Sequence, residues 1–63
     1  RNASYRALVD DIRRDLAKHY LANTALRLHQ IAYALGYSEP GPLVRAFKRW
    51  TDETPMQYRR KHA

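Results

Sequence analysis

The chain has 63 residues and no cysteine, so it has room for one small domain or part of a larger one. The missing thiols exclude a disulfide-stapled scaffold and a thiolate zinc site, and no apolar run reaches the roughly 18 residues that span a membrane. Lysine and arginine number 12 against 6 acidic residues, for a net charge of +6. The missing thiols and the lack of a membrane-spanning run predict a cytoplasmic protein, and neither a cofactor nor a membrane partner is expected. The positive excess attracts polyanions, of which nucleic acid is the commonest and an anionic membrane surface the next.

The first predicted element is a long helix over about residues 5 to 22. Ser4 is a natural N-cap for this helix, and Asn23 is a natural left-handed stop. The rest of its surface carries charges of both signs, which favours a solvated face. Its apolar residues recur at steps of three and four, the period of one helix face: Tyr5, Leu8, Val9, Ile12, Leu16 and Tyr20.

Two short helices separated by a turn are predicted next. The first covers about residues 28 to 35 and ends at Gly36. Residues 36–42 include both glycines and two of the three prolines of the chain, which indicates a turn. A residue before proline avoids the α conformation, so we expect Gly41 to be the N-cap and Pro42 the first residue of a helix over about 42 to 51.

A last short helix is predicted over about residues 55 to 61. Thr54 is its N-cap, Pro55 stands at the first helical position, and Gln57 completes a capping box. No segment alternates at period two over more than a few residues, so no sheet is expected. The predicted fold class is all-α with four helices: a long first helix, a homeodomain-like helix-turn-helix and a short C-terminal helix.

The pair of short helices meets the physical requirements of a helix-turn-helix. Such a unit needs a small residue where its helices cross, which Ala32 supplies, and a turn residue free to take a positive φ, which Gly36 supplies. On the second helix an apolar stripe points inward: Leu43, Phe47 and Trp50.

Three cations of the second helix project from the side opposite that stripe. Arg45 is a helical neighbour of both Lys48 and Arg49, because it precedes them by three and four residues. No acidic residue interrupts positions 40 to 51. An exposed cationic face on the second helix of a helix-turn-helix is what duplex DNA binding requires.

Several short motifs stand at fixed spacings between about residues 28 and 60. They are Ile31-Ala32, then Gly36-Tyr37-Ser38, then Arg45-Ala46-Phe47-Lys48-Arg49-Trp50, and finally Thr54-Pro55 with Tyr58-Arg59. Together they resemble the signature of the AraC/XylS transcription regulators. The resemblance implies a DNA-binding domain with two helix-turn-helix units joined by a bridging helix, each unit facing a major groove.

On this resemblance, residues 4–22 are the bridging helix, and residues 28–61 are the second helix-turn-helix with its final helix. The chain is then one fragment of a larger DNA-binding domain. The first unit is expected before Arg1, and an effector-binding and dimerisation domain on chain outside these residues. The expected partner is double-stranded DNA, with RNA polymerase as a further partner.

The sequence departs from the family at several positions. Members usually carry base-reading polar side chains where this chain has Pro40, Gly41, Pro42 and Val44. A helix starting at Pro42 is shorter at its groove-facing end by nearly a turn. Arg45 is then the one long polar side chain placed to reach a base edge, typically that of guanine, and the unit is expected to anchor phosphates more than it reads bases.

Two more departures weaken helix ends. Arg27 stands where the family has a capping serine or threonine, and Asp52 where it often has glycine. We assign Lys48 and Arg49, with Arg27, to phosphates.

The cations of the last helix, Arg59, Arg60 and Lys61, leave two interpretations open. They either contact phosphates beside the capped start of that helix or complement the dipole at its end. The predicted DNA-contacting residues are Arg27, Ser38, Gly41, Arg45, Lys48, Arg49 and Arg60.

Other functions are less consistent with the sequence. Phe47 and Trp50 at helical spacing indicate packing more than base stacking. The three histidines have no carboxylate at ligand spacing, and the aspartates share a helix with arginines, so neither a metal site nor an enzyme is expected. The competing interpretation is a helical module that docks an acidic protein or an RNA polymerase subunit through the same cations. A basic amphipathic helix on a membrane is a third, which the proline-rich entry disfavours.

Overall fold

The computed structural model describes residues 5–62, which form four α-helices and no strand. The all-α prediction, with a long first helix followed by three shorter ones, is confirmed. Ser4, the predicted N-cap of the first helix, lies outside the described residues. No helix in this part of the chain is long and apolar enough to cross a membrane. In chain order the helices are α1 (Tyr5–Asn23), α2 (Leu28–Ala34), α3 (Pro40–Thr51) and α4 (Pro55–His62).

The hydrophobic core lies where the C-terminal half of α1 meets α2 and α3. Phe47 is fully buried, and its ring makes edge-on contacts with Tyr58, at 5.4 Å between ring centroids, and with Trp50, at 6.4 Å. Phe47 and Trp50 therefore pack, as predicted. The buried residues of the core are Ala17, Leu21, Ile31, Ala32, Leu35, Leu43 and Phe47.

The predicted apolar face of α1 lies mostly outside this core. Tyr5 is 82% exposed, Leu8 59% and Ile12 51%. The buried positions of α1 are instead Ala17 and Leu21, one turn apart, which the apolar pattern did not single out. The face is exposed because the core uses the C-terminal half of α1, whereas an open groove separates the N-terminal half from α3.

The turn after α2 has the expected left-handed glycine. Gly36 has a φ of 95°. Its N–H donates to the carbonyl oxygen of Tyr33 at 3.1 Å, and the N–H of Tyr37 donates to that of Ala32 at 2.9 Å. These two bonds form a Schellman motif, which satisfies the last carbonyls of α2. Ala32 is fully buried, so the small residue stands at the tightly packed position predicted for it.

The predicted start of α3 is wrong. The helix begins at Pro40, with Glu39 as its extended N-cap at φ −155° and ψ 165°. Gly41 is therefore helical rather than the cap, and the groove-facing end is not shortened. Both prolines fit because the first N–H groups of a helix have no intrahelical partner, so Pro40 and Pro42 break no hydrogen bond. The α conformation of Gly41 before Pro42 is eased because glycine has no Cβ to meet the proline ring.

The expected left-handed stop at Asn23 is also wrong, since Asn23 is the last residue of the α1 helix. Within residues 5–62 only Gly36 and Asp52 have a positive φ. Asn23 instead donates its side-chain amide to the carbonyl oxygen of His19 at 3.2 Å. The side chain of Asn23 therefore folds back along the last turn of α1.

The end of α1 is completed from the far end of the chain. Arg59 in α4 donates its Nε to the carbonyl oxygen of Leu21 at 3.0 Å, and its Nη2 to those of Thr24 at 3.0 Å and Tyr20 at 3.3 Å. One guanidinium therefore donates to three carbonyls around the negative end of the α1 dipole.

The predicted capping box of α4 is confirmed. Thr54 Oγ1 accepts from the N–H of Gln57 at 3.2 Å, and Gln57 Oε1 accepts from the N–H of Thr54 at 2.9 Å. The start of α2 has half of such a box, in which Gln30 Oε1 accepts from the N–H of Arg27 at 2.8 Å. Arg27 itself supplies no acceptor, because a guanidinium only donates.

Candidate nucleic-acid interface

The outer face of α3 carries the three cations that the sequence singled out. Arg45, Lys48 and Arg49 are all exposed, whereas Leu43 and Phe47 on the opposite side are fully buried. The helix is therefore divided between core and solvent as the pattern predicted. Its solvent face presents three positive charges and no acidic residue.

Arg45 reaches back toward the start of α3. Its Nη1 lies 3.6 Å from the position that a Cβ would occupy on Gly41, one turn earlier. The missing side chain at Gly41 leaves room for the guanidinium over the first helical turn. The remaining residues of that turn, Pro40 and Pro42, have no polar side chain, so Arg45 supplies the hydrogen-bond donors at this end of the helix.

The other predicted contact residues are spread more widely. Ser38 is exposed in the turn between α2 and α3, and Arg27 is exposed at the start of α2. Arg60 is exposed on α4, and its side chain has no hydrogen bond or ion pair with any residue from 5 to 62.

The neighbours of Arg60 are occupied within the fold. Lys61 pairs with Glu53 at 3.0 Å, and the half-buried Arg59 holds the end of α1. The contact of Arg59 with the end of α1 is neither of the two interpretations left open for this run, because the helix that Arg59 caps is not its own.

An open groove of about 550 Å³ separates α3 from the N-terminal half of α1. Arg45 and Arg49 line its α3 side, and Arg6, Asp10 and Arg13 line its α1 side. Lys48 is not among the lining residues, so the structure divides the three α3 cations between the groove and the surface beyond it. The mixed charges of α1 predict a solvated face for Arg13, and the sequence indicates no role for Arg6.

Arg13 joins α1 to the turn of the helix-turn-helix. Its guanidinium carbon lies 4.8 Å from the centroid of the Tyr37 ring, a cation–π contact. Its Nη2 is 3.3 Å from where a Cβ on Gly36 would stand. Glycine at the turn therefore serves both the positive φ and the close approach of this arginine.

This architecture, with an exposed cationic face on the second helix of a tight helix pair, defines a helix-turn-helix domain. The family model described as "Helix-turn-helix domain" matches residues 1–61. The chain belongs to this family of AraC-type transcription regulator domains, which are DNA-binding domains and not enzymes. The resemblance drawn from the sequence motifs is thereby confirmed.

Relatives and solved structures support the assignment. The chain is 41% identical over 56 residues to the ornithine utilization regulator of Pseudomonas aeruginosa, an alignment covering 89% of the chain and 16% of that relative. It is 50% identical over 52 residues to the HTH-type transcriptional regulator VirS of Mycobacterium tuberculosis, covering 82% and 15%.

Among solved structures, the C-terminal domain of AraT, a response regulator from Geobacillus stearothermophilus, superposes with a TM-score of 0.87 at 36% identity. The match covers 92% of this chain and 48% of that one.

The chain spans about a sixth of the length of the two curated regulators named above.

Proposed function

We propose that this domain binds double-stranded DNA in a sequence-specific manner, with α3 in or against the major groove. The observation that carries the proposal is the exposed face of Arg45, Lys48 and Arg49, directly opposite the buried Leu43 and Phe47. Membership of a DNA-binding family supports it, as does the net charge of +6.

The proposed contacts divide into base reading and phosphate anchoring. Arg45 lies over the first turn of α3, so it is the side chain that donates to a base edge, in the bidentate contact that arginine makes to guanine. Because that turn has no other polar side chain, the domain is expected to specify the base at only a few positions of the bound duplex. We assign close approach of the DNA backbone to Gly41. Phosphate contacts are assigned to Lys48, Arg49, Arg27, Arg60 and Ser38.

Selection of bound sequences from a random duplex library tests this division. The unmodified chain is expected to enrich guanine at one position, and Arg45→Ala to lose that preference, at a cost of about 1–3 kcal/mol for the preferred base. The matched control Lys48→Ala keeps the sequence preference and binds every duplex more weakly. An unchanged preference in Arg45→Ala would make Arg45 a phosphate contact only.

Salt dependence tests DNA binding itself. Four neutralised phosphates give a slope of about −3.6 for log affinity against log salt concentration. Binding that is insensitive to salt would contradict the proposal. A site on an acidic protein would instead resist competition by duplex DNA and show no preference among duplexes.

We also propose that α1 is the bridging helix of a larger DNA-binding domain and that residues 28–61 form its second helix-turn-helix. The exposed stripe of Tyr5, Leu8 and Ile12 supports this, because a helix seldom leaves such an apolar row in water. A first helix-turn-helix unit is proposed to cover this apolar stripe. Control by an effector, dimerisation and contact with RNA polymerase are proposed for the longer regulator, in which this chain would supply the DNA contact.

A further inference from the structure

The groove between α1 and α3 brings together arginines that are far apart in the sequence. Arg6 and Arg13 stand on α1, and Arg45 and Arg49 stand on α3. The α3 pair belongs to the helix-turn-helix, whereas the α1 pair lies outside it. Asp10 is the single acidic residue among the lining residues, so the groove carries a net excess of three positive charges.

These four arginines have no carboxylate partner in the described part of the chain. The ion pairs found between residues 5 and 62 join Arg14 to Asp11 and to Asp15, both at 3.3 Å, and Lys61 to Glu53 at 3.0 Å. Arg14 is next to Arg13 in the sequence and is nevertheless neutralised. Four cations without a carboxylate partner therefore line one groove, where an anion would relieve their mutual repulsion.

The spacing of the α1 pair suits a polymer of anions. Arg6 and Arg13 are seven residues apart, which places them on one face of α1 about 10 Å apart along its axis. That distance corresponds to roughly three base-pair steps measured along the axis of a DNA duplex. On the other wall, Arg45 and Arg49 are neighbours on the α3 surface. The open groove thus has a row of guanidinium groups along each side.

We propose that α1 is part of the DNA interface, with Arg6 and Arg13 binding the phosphates of a strand that runs along the groove beside α3. This inference rests on the proposed function and extends it to residues outside the helix-turn-helix. Arg6 is exposed and is a pure charge contact, whereas Arg13 also positions the turn through Tyr37.

The test compares Arg6→Ala with Arg14→Ala in the whole chain, because both remove one positive charge from α1. Arg13 is left intact, since its loss would also disturb the turn. The probe is a mixed-sequence DNA duplex of about 20 base pairs, two helical turns, titrated over a series of salt concentrations. Circular dichroism checks that both variants keep their helix content.

Arg6→Ala is expected to reduce the salt slope by about 0.9 and the affinity near 0.1 M salt by about eightfold, the loss of one phosphate contact. Arg14→Ala is expected to leave the slope unchanged. Equal losses in both variants would show an effect of net charge alone and would overturn the inference.

Failure of the inference and failure of the proposed function give different results. If Arg6→Ala binds like the unmodified chain while Lys48→Ala binds weakly, DNA binding stands and α1 is not part of the interface. If the unmodified chain shows no salt-dependent binding to the duplex, both are wrong.

Asp10→Asn provides a second readout of opposite sign. It removes the one carboxylate that lines the groove, so duplex affinity is expected to rise severalfold. Asp11→Asn is the matched control, because it makes the same change one residue away at a carboxylate that does not line the groove. A gain that is equal in both variants would count against a phosphate path along the groove.

Discussion

Arg59 connects the last helix to the first through hydrogen bonds. Its guanidinium donates to the carbonyl oxygens of Tyr20, Leu21 and Thr24 around the end of α1. In the sequence Arg59 stands in a run of cations, and no local pattern indicates that its partners are carbonyls nearly forty residues earlier. Gly36 is the contrasting case: its left-handed conformation was predictable, because the requirement arises within the turn itself.

Arg59→Ala is expected to lower the free energy of unfolding by about 2 kcal/mol, because half-buried carbonyls lose charge-assisted hydrogen bonds. Arg60→Ala is the control on the neighbouring exposed residue, with an expected change within about 0.5 kcal/mol. Urea unfolding followed by circular dichroism measures both. Equal stability of the two variants would contradict a capping role for Arg59.

At the scale of the element, α3 shows where local rules compete. The rule that a residue before proline avoids the α conformation predicted a start at Pro42, yet the helix begins at Pro40. The start is decided by the prolines' missing N–H groups, which cost nothing in the first turn, and by Gly41 between them. The existence and order of the helices were predictable from apolar spacing and, for α4, from its capping box, whereas this boundary depended on the balance of two opposing effects.

Glu39 is an N-cap without a side-chain hydrogen bond to the helix. Glu39→Asp keeps the charge and shortens the side chain, so that its carboxylate can accept from the N–H of Gly41. Pro42, at the other position that a cap normally serves, has no N–H to donate. The expected gain is therefore modest, about 0.5 kcal/mol in the free energy of unfolding.

Thermal unfolding of Glu39→Asp and of Glu39→Ala separates capping from charge. The alanine variant removes the carboxylate and adds no cap, so it is expected to show no gain. A gain of the same size in both variants would mean that the glutamate itself is unfavourable at this position.

For the molecule as a whole, the main difference from the sequence expectation is the side of α1 that is buried. Apolar spacing identified a face of α1 that is mostly exposed in this chain, and it could not tell which helix would cover that face. The core of this chain uses Ala17 and Leu21, while Leu8 and Ile12 stay in water. The same holds for the candidate site. The cationic face of α3 was predictable from the residue spacing within one helix, whereas the groove that includes Arg6 depends on how α1 and α3 are arranged.

Ile12→Gln is expected to change the stability of this chain by less than about 0.5 kcal/mol, because Ile12 is 51% exposed. Leu21→Ala, at a fully buried position, is expected to cost about 2–5 kcal/mol. Urea unfolding measures both.

In a longer protein that carries the proposed first helix-turn-helix, Ile12→Gln becomes costly, because the stripe is then covered. A small effect in both the short and the long protein would contradict that arrangement.

The two prolines at the start of α3 also limit how the domain holds an anion. They remove two of the four main-chain amides that a helix start normally offers to a phosphate. In the proposed DNA complex, the phosphates are therefore held by long arginine and lysine side chains, which can release one phosphate and bind the next. A protein attached in this way is well suited to scan along a duplex before it settles on its site.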